Sequence, residues 1–413
     1  MGQWQRCRRL QRRLLYVVLV GLSWAAPASA YDVGDVSTRV AEDSPASHAP
    51  ADALAPVHEA GVLEARSRQA AIEIRASYDG ALESLPNDKQ RHYAQRLWRL
   101  TGDPAYLCWN RQYAQRLLQQ LARDAATVED PAALRARNRQ LLEGYPETRA
   151  KQRRRKAMLA DYPQMMLPMG ILFRLTQAQY HGLLERLPPG QYASLTRALD
   201  EVDWHAFLTD PEVISVYAAQ VANQATFLAE LGIVDLRDDV ASAFRSLYPA
   251  ERIAELSSAD YHNWLYGLTH FVIAASRYYQ RTAQHRSVDW AVEALVSQSS
   301  ALAQVKTDIV AEVALSLQLG GRADHPLVDT LHAILLERRD PSTGILPGTD
   351  GSLDLASGEH RNVLAIMTLG WTGSLYPGPF LTLEEGDAAV ACGAGELGLC
   401  ETGSREAVEG SVP

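Results

Sequence analysis

One ten-residue stretch, YHNWLYGLTH at 261–270, carries polar side chains that the core of a helical protein does not need. Asn263, Tyr266 and His270 recur at i, i+3 and i+7, so a helix places all three on one face. His262 lies about 100° away, at the edge of that face. An amide, a phenol and an imidazole grouped in this way are suited to proton transfer to or from a substrate.

Trp264 and the tyrosines of the same stretch provide rings that could stack on a sugar. Aromatic residues at helical spacing more often pack in a core, and histidines beside them can cap neighbouring carbonyl groups. The sequence leaves both interpretations open.

Two carboxylates, Asp308 and Glu312, lie at i and i+4 in DIVAEVALSLQLGG and therefore share a helix face. Like charges at this spacing repel each other unless a proton or a cation lies between them. A coupled pair keeps one carboxyl protonated more readily, which suits a general acid. The apolar neighbours of Glu312 make its burial plausible, whereas Asp308 also fits a solvated helix start.

A third polar motif, with Glu359, His360 and Arg361, precedes the apolar run VLAIM at 363–367. Polar groups at a helix N-terminus lie where backbone N–H groups and the helix dipole favour anions. Arg361 is able to bind a carboxylate through two parallel hydrogen bonds. An ordinary helix cap with a surface ion pair explains the same residues.

The elements that must position these motifs are helices. The turn at Thr101–Pro104 is a helix stop followed by a start with proline. Apolar residues recur at helical spacing throughout the body, as in the helix that Gly320 and Gly321 terminate, and strand-like alternation is almost absent. We expect roughly a dozen helices in an all-α fold. Since no strict short repeat is present, the best match is an array of helical hairpins, an α/α toroid that is incomplete or closed.

The two ends of the chain differ from this body. Residues 1–30 have an arginine-rich start, an apolar stretch and a small-residue cleavage site, which predicts a secretory signal peptide and a periplasmic or secreted protein. An uncleaved N-terminal anchor is the alternative. We expect a flexible linker at 31–55, an all-helical domain at 56–383 with its polar motifs at 258–371, and a disordered acidic, Gly-rich tail at 384–413. No other apolar run is long enough for a transmembrane helix.

The charge of the chain argues against nucleic acid as a partner. Without residues 1–30, which contain five arginines and no acidic residue, 35 basic residues stand against 49 acidic ones. Such a chain does not attract polyanions by its overall field, although a local basic cleft is compatible with it. The basic run KQRRRK at 151–156 is most simply a solvated helix face, with an acidic polymer as its alternative partner.

Three cysteines follow the predicted signal peptide. Cys392 and Cys400 flank a short Gly-rich loop, so they could pair in an oxidising compartment. Cys108 lies among apolar residues and is expected to be a buried thiol.

Residues 258–371 resemble a bacterial family of uncharacterised exported proteins, through YHNWLYGLTHFVIAASRYYQ, DIVAEVALSL and GEHRNVLAIMTLGW. The resemblance implies that the three motifs share one site. A looser likeness to alginate lyases and related polysaccharide lyases rests on His262-Asn263-Trp264 with Tyr266, and on Gly344–Pro347 with His360-Arg361. It implies a toroid and proton-transfer residues on a helix, but Tyr261 stands where those enzymes have a further asparagine.

These observations favour an exported enzyme that acts on a glycan by lysis or hydrolysis, with a non-enzymatic envelope binding or scaffold protein as the alternative. The sequence requires no cofactor, and a metal site made of the histidines and carboxylates lacks a His pair at i, i+4. The predicted catalytic residues are His262, Tyr266, Glu312 and His360. The predicted substrate-binding residues are Asn263, Trp264, His270, Asp308, Glu359 and Arg361.

Overall fold

The computed structural model describes residues 55–283, 285–382 and Cys392. Within these ranges the chain forms sixteen α-helices and no β-strand, so the predicted all-α class is confirmed. The signal peptide, the linker up to residue 54, the C-terminal tail from 384 apart from Cys392, and Cys400 itself lie outside the described residues.

The helices follow one another through short turns and five single-turn 3₁₀ segments. Their bounds are α1 Ala55–Ala81, α2 Asn87–Thr101, α3 Leu107–Val128, α4 Pro131–Glu143, α5 Ala150–Ala160, α6 Met166–Tyr180, α7 Pro189–Asp200, α8 Trp204–Thr209, α9 Pro211–Glu230, α10 Arg237–Leu247, α11 Ala250–Ala254, α12 Ser258–Ala275, α13 His285–Val296, α14 Thr307–Leu319, α15 Pro326–Glu337 and α16 Leu355–Leu369.

Six helices, which we call the core set, pack on one another in chain order: α2, α6, α9, α12, α14 and α16. Helix α6 contacts α9, α9 contacts α12, α12 contacts α14, and α14 contacts α16. Helix α16 in turn packs on α2, the first member of the set. Helices α2 and α6 are joined by a hydrogen bond of 2.9 Å from Gln95 Nε2 to Gln177 Oε1.

A flanking set, α1, α3, α7, α10, α13 and α15, alternates with the core set along the chain. Each flanking helix packs on one or two core helices, for example α3 on α2 and α6, and α15 on α14 and α16. The interfaces bury apolar side chains such as Leu97, Leu315 and Leu364. Burial of this kind, at about 25 cal/mol per Å² of apolar surface, supplies the main driving force for folding.

The starts of the motif-bearing helices are fixed by side-chain caps. The Ser257 hydroxyl accepts a hydrogen bond from the Asp260 N–H at the start of α12, and the Asp354 carboxylate accepts one from the Ser357 N–H at the start of α16. Helix α14 ends before Gly320, as the sequence predicts. The motifs of α14 and α16 lie in the first halves of these helices, whereas that of α12 begins in the first half and extends to His270 in the second.

The cysteine predictions were wrong, because Cys392 is bonded to Cys108 in α3. The chain returns past α2 and α6 after α16: the Tyr376 N–H donates to the Arg99 carbonyl at 2.9 Å, and the Leu381 N–H donates to the His181 carbonyl at 2.9 Å. This return path brings together two cysteines 284 residues apart, which local spacing does not reveal.

A disulfide is typical of proteins in an oxidising compartment. In the part of the chain that the structure describes, no helix combines the length and the apolar character that crossing a bilayer requires.

Close packing of α12 predicts that Gly267→Ala destabilises the domain. A Cβ atom at residue 267 would lie 2.5 Å from Phe244 Cε2 and 3.0 Å from the Ala218 Cβ. We expect the free energy of unfolding to fall by about 1–3 kcal/mol in chemical denaturation. Gly190→Ala in α7 is the matched control, since a Cβ there meets nothing within 4 Å. Equal stability of the two variants would contradict the packing of α12 described above.

The disulfide gives a second prediction. Peptide mapping without reductant should recover Cys108 linked to Cys392, and Cys400→Ser should leave that linkage intact. Cys108→Ser should lower the free energy of unfolding by about 2–5 kcal/mol, because it removes the cross-link. Recovery of a Cys392–Cys400 peptide from the wild-type chain would show that this pairing is incorrect.

Candidate functional site

The Glu312 carboxyl is the meeting point of three core helices. It lies in α14 with only 1 % exposure, and Thr269 of α12 donates a hydrogen bond of 2.9 Å to its Oε2. Its Oε1 lies 3.5 Å from His360 Nε2 of α16 and 3.9 Å from His270 Nε2 of α12. The structure thus brings one residue of each predicted motif to a single carboxyl group.

Asp308 lies one turn before Glu312 and is also buried. The Tyr266 hydroxyl donates a hydrogen bond of 2.6 Å to Asp308 Oδ2. Burial and the nearby Asp308 both raise the pKa of Tyr266, so the phenol keeps its proton. Tyr266 and Asp308 therefore form a second buried contact between α12 and α14.

The electrostatic surroundings of Glu312 favour its protonated form. Burial is the main cause, Asp308 adds to it and the Thr269 hydrogen bond opposes it, with the result that the pKa of Glu312 rises to about 8. A carboxyl with this pKa carries its proton at neutral pH and is able to donate it to a substrate.

The histidines around this acid are driven toward their neutral forms. Burial, together with the positive charge of Arg96, lowers the pKa of His270 to about 3 and that of His360 well below its usual range. Burial and Lys306 lower the pKa of His262 to about 4. Neutral imidazoles can accept a proton, so the site holds a proton donor and proton acceptors in contact.

Helix α2 adds a second acid–imidazole pair, which the sequence analysis missed. His92 Nδ1 lies 2.6 Å from Oε1 of the fully buried Glu359, and Lys89 Nζ lies 3.9 Å from Oε2. The His92 ring lies edge-on to the His360 ring, with 5.4 Å between their centroids. The two pairs, Glu312 with His360 and Glu359 with His92, are therefore neighbours.

Burial of the second pair favours uncharged groups on both partners. It raises the pKa of Glu359 to about 7, against the opposing charges of Lys89 and Arg96. Burial and Arg96 lower the pKa of His92. The two groups are only 2.6 Å apart, so one hydrogen bond joins them.

The sequence does contain a pattern that indicates the contribution of helix α2 to the cluster. Lys89, His92 and Arg96 recur at i, i+3 and i+7, the same spacing that identifies the face of α12. The basic residues of this helix read as surface residues, yet all three are buried.

Three predicted binding residues are directed elsewhere. Trp264 is buried against Tyr248 and Tyr261, and Asn263 donates a hydrogen bond to the Ser215 carbonyl of α9. The guanidinium of Arg361 donates through Nε to the Leu346 carbonyl at 3.1 Å, so it holds the preceding loop.

His262 lies at the edge of the cluster, where Lys306, Asp308 and Lys151 influence its ring. His270 Nδ1 donates a hydrogen bond of 3.0 Å to the amide oxygen Oδ1 of Asn223. Because that oxygen can only accept, Nδ1 carries the hydrogen and the Nε2 atom that faces Glu312 is free to accept a proton.

The basic run at 151–156 is not a uniformly solvated face. Arg153 and Arg154 are exposed, whereas Lys151 and Arg155 are partly buried. Lys151 Nζ lies 5.1 Å from the centre of the Tyr266 ring, and the Arg155 guanidinium lies 4.9 Å from that of Tyr217. One side of α5 therefore faces the cluster.

Fold and site together define an all-helical protein with a buried carboxyl–imidazole cluster. The chain belongs to the family described as "Domain of unknown function (DUF3541)", whose model matches residues 67–389. No curated protein and no solved structure matches the chain. Among the residues that the structure describes, no group of three or more His, Cys, Asp or Glu side chains is arranged to hold a metal ion.

The raised pKa of Glu312 predicts a pH-dependent effect of Glu312→Gln. A carboxyl whose pKa rises from 4.5 to about 8 on folding stabilises the protein below pH 4.5, and this contribution is lost as the pH rises through 8. The amide never ionises, so the variant should melt at a higher temperature than the wild type near pH 9. The difference in the free energy of unfolding near pH 9 should amount to a few kcal/mol, at about 1.4 kcal/mol per pKa unit, and it should be smaller near pH 5.

Glu201→Gln, at an exposed residue, is the control. Its effect on the melting temperature should be small at both pH values. A Glu312→Gln effect that is equal at both pH values would show that Glu312 does not titrate between them, which would contradict a pKa of about 8.

Proposed function

We propose that the core set forms the inner layer of an α/α toroid and the flanking set its outer layer. Two observations support this arrangement. The two sets alternate along the chain, with α4, α5, α8 and α11 in neither set, and the last core helix, α16, packs on the first, α2. In such an arrangement the inner helices run parallel, so that the first halves of α2, α12, α14 and α16 meet at one end of the ring.

We further propose that the protein is an exported enzyme that acts on a glycan by general acid–base chemistry. The observation that carries this proposal is the contact of Glu312 with His270 and His360, a protonated acid beside neutral bases. The side chains of His270 and His360 keep 14 % and 13 % exposure, so these two residues of the cluster are not fully closed off from solvent. The disulfide agrees with export to an oxidising compartment.

Glu312 is the proposed proton donor to the leaving glycosidic oxygen. In lysis, a neutral histidine, His360 or His262, takes the proton next to the sugar carboxylate. The bond from C4 to the leaving oxygen then breaks, a C4–C5 double bond forms, and Glu312 protonates the oxygen. Tyr266, held by Asp308, is positioned to assist either proton transfer.

In hydrolysis, Glu312 plays the same part and a second carboxyl activates water. Asp308 and Glu312 on one helix turn are a poor match for carboxyls that flank a bond, because these are usually about 5–10 Å apart on opposite sides of the sugar. The adjacent acid and bases therefore favour lysis over hydrolysis.

Turnover is tested with the chain beginning at residue 31, on panels of uronate-containing and neutral polysaccharides. Lysis gives an unsaturated product that absorbs in the ultraviolet, and hydrolysis gives reducing ends without that absorbance. Glu312→Gln should lower kcat at least about 100-fold, because it removes the proton donor. His360→Gln should lower it about 10- to 100-fold, since a second histidine is near.

Glu201→Gln on the exposed surface should retain the wild-type rate. Turnover that persists in Glu312→Gln would show that Glu312 is not the proton donor. Tight binding of a glycan without any product would instead support a binding protein of the envelope.

A further inference from the structure

Arg96 is a buried cation with no carboxylate partner among the residues that the structure describes. Its residue is 6 % exposed, and none of the described carboxylates lies within 4.0 Å of the guanidinium. Nη1 donates a hydrogen bond of 3.3 Å to the His92 carbonyl, the guanidinium carbon lies 5.1 Å from the centre of the Tyr279 ring, and Nε has no hydrogen-bond partner. Uncompensated burial of a charge is costly, so a structural role alone accounts poorly for this arginine.

Lys151 faces the same cluster from α5. Its ammonium lies over the Tyr266 ring, and within the described part of the chain no carboxylate is within 4.0 Å of it. Arg155, one turn later, has only the Tyr217 ring and a hydrogen bond of 3.5 Å to Gln220 Oε1. Helix α5 thus adds two cations that lack acidic partners among the described residues.

Arg96 and Lys151 border the same cluster from two helices. Lys151 lies over the ring of Tyr266, whose hydroxyl binds Asp308, and Arg96 lies one turn after His92, whose ring contacts His360. Arg96 also acts on His270 and His360, on its own side of the cluster. Both cations lower the pKa of Glu312, but burial outweighs them and the carboxyl stays protonated. Glu312 therefore does not neutralise them. Burial, with the charges of Arg155 and Lys306, lowers the pKa of Lys151 to about 7, so its ammonium is charged near pH 6.

We propose that Arg96 and Lys151 recognise an anionic group on the ligand of this site. The proposal rests on the glycan-binding role proposed above, but it does not require turnover. The anion would supply the partner that both cations lack, and it would sit beside Glu312 without the repulsion of an ionised carboxylate. Arg96 offers its unpartnered Nε as a directional donor, and Lys151 offers a mobile point charge.

A carboxylate and a sulfate ester share this chemistry. Three monosaccharides with the same ring and different C6 groups distinguish these two anions from each other and from a neutral sugar: glucose, glucuronate and glucose 6-sulfate. Binding of each to the chain beginning at residue 31 is measured by calorimetry near pH 6, at constant ionic strength. We expect glucuronate or glucose 6-sulfate to bind at least about tenfold more tightly than glucose, and the tighter of the two identifies the anion.

Lys151→Gln should reduce the preference for the anion over glucose about tenfold, and Arg96→Gln should reduce it further because its charge is more buried. Arg153→Gln, on the exposed side of α5, is the matched control and should retain the full preference. Thermal melting of each variant shows whether it folds. Lys151 is only partly buried, so its variant keeps the test decisive if Arg96→Gln does not fold.

Equal binding of glucose and both anions would overturn the proposal, as would an anion preference unchanged in Lys151→Gln and Arg96→Gln. Anion binding that depends on Lys151, in a protein without turnover, would support this inference and remove the enzymatic function. Turnover of neutral glycans with unchanged kinetics in Lys151→Gln would support the enzymatic function and overturn the anion-binding inference.

Discussion

The burial of the Glu312 carboxyl is the constraint on which the rest of the site depends. A carboxyl removed from water must either find a cation or keep its proton. Here its neighbours are a hydroxyl and two imidazoles that burial itself keeps neutral, so the proton stays on the glutamate. One physical cause, exclusion from solvent, thus sets opposite protonation states on acid and base.

Glu359 and His92 extend this logic to the next pair of helices. Their contact of 2.6 Å joins α16 to α2, and the 5.4 Å ring contact of His92 with His360 joins it to the first pair. A change of charge at any of these groups alters the electrostatic energy of the others, because little water screens them. The protonation of each group therefore depends on the charges of its neighbours in the cluster.

Helical periodicity made the body predictable, because each helix must bury one apolar stripe whatever its neighbours are. For the same reason the shared face of Tyr266 and His270, and that of Asp308 and Glu312, could be read from spacing alone. Spacing does not tell which helix lies opposite. Arg361 and Trp264 resemble ligand-binding residues by type, yet one holds a loop carbonyl and the other packs between tyrosines. Lys89, His92 and Arg96 are the opposite case, because they are polar or charged by type and yet lie buried in α2.

Two of the contacts that spacing could not predict join the two ends of the domain. His92 and Glu359 are 267 residues apart, and Cys108 and Cys392 are 284 apart. The backbone hydrogen bonds of Tyr376 and Leu381 tie the returning chain to the ends of α2 and α6. Long-range contacts are the ones whose loop-closure entropy is largest, so they gain most from a cross-link nearby. The disulfide and the returning segment thus reinforce the neighbourhood of α2, the helix that must meet α16 to complete the cluster. In this fold the covalent constraint and the buried acid–base chemistry depend on the same closure of the chain.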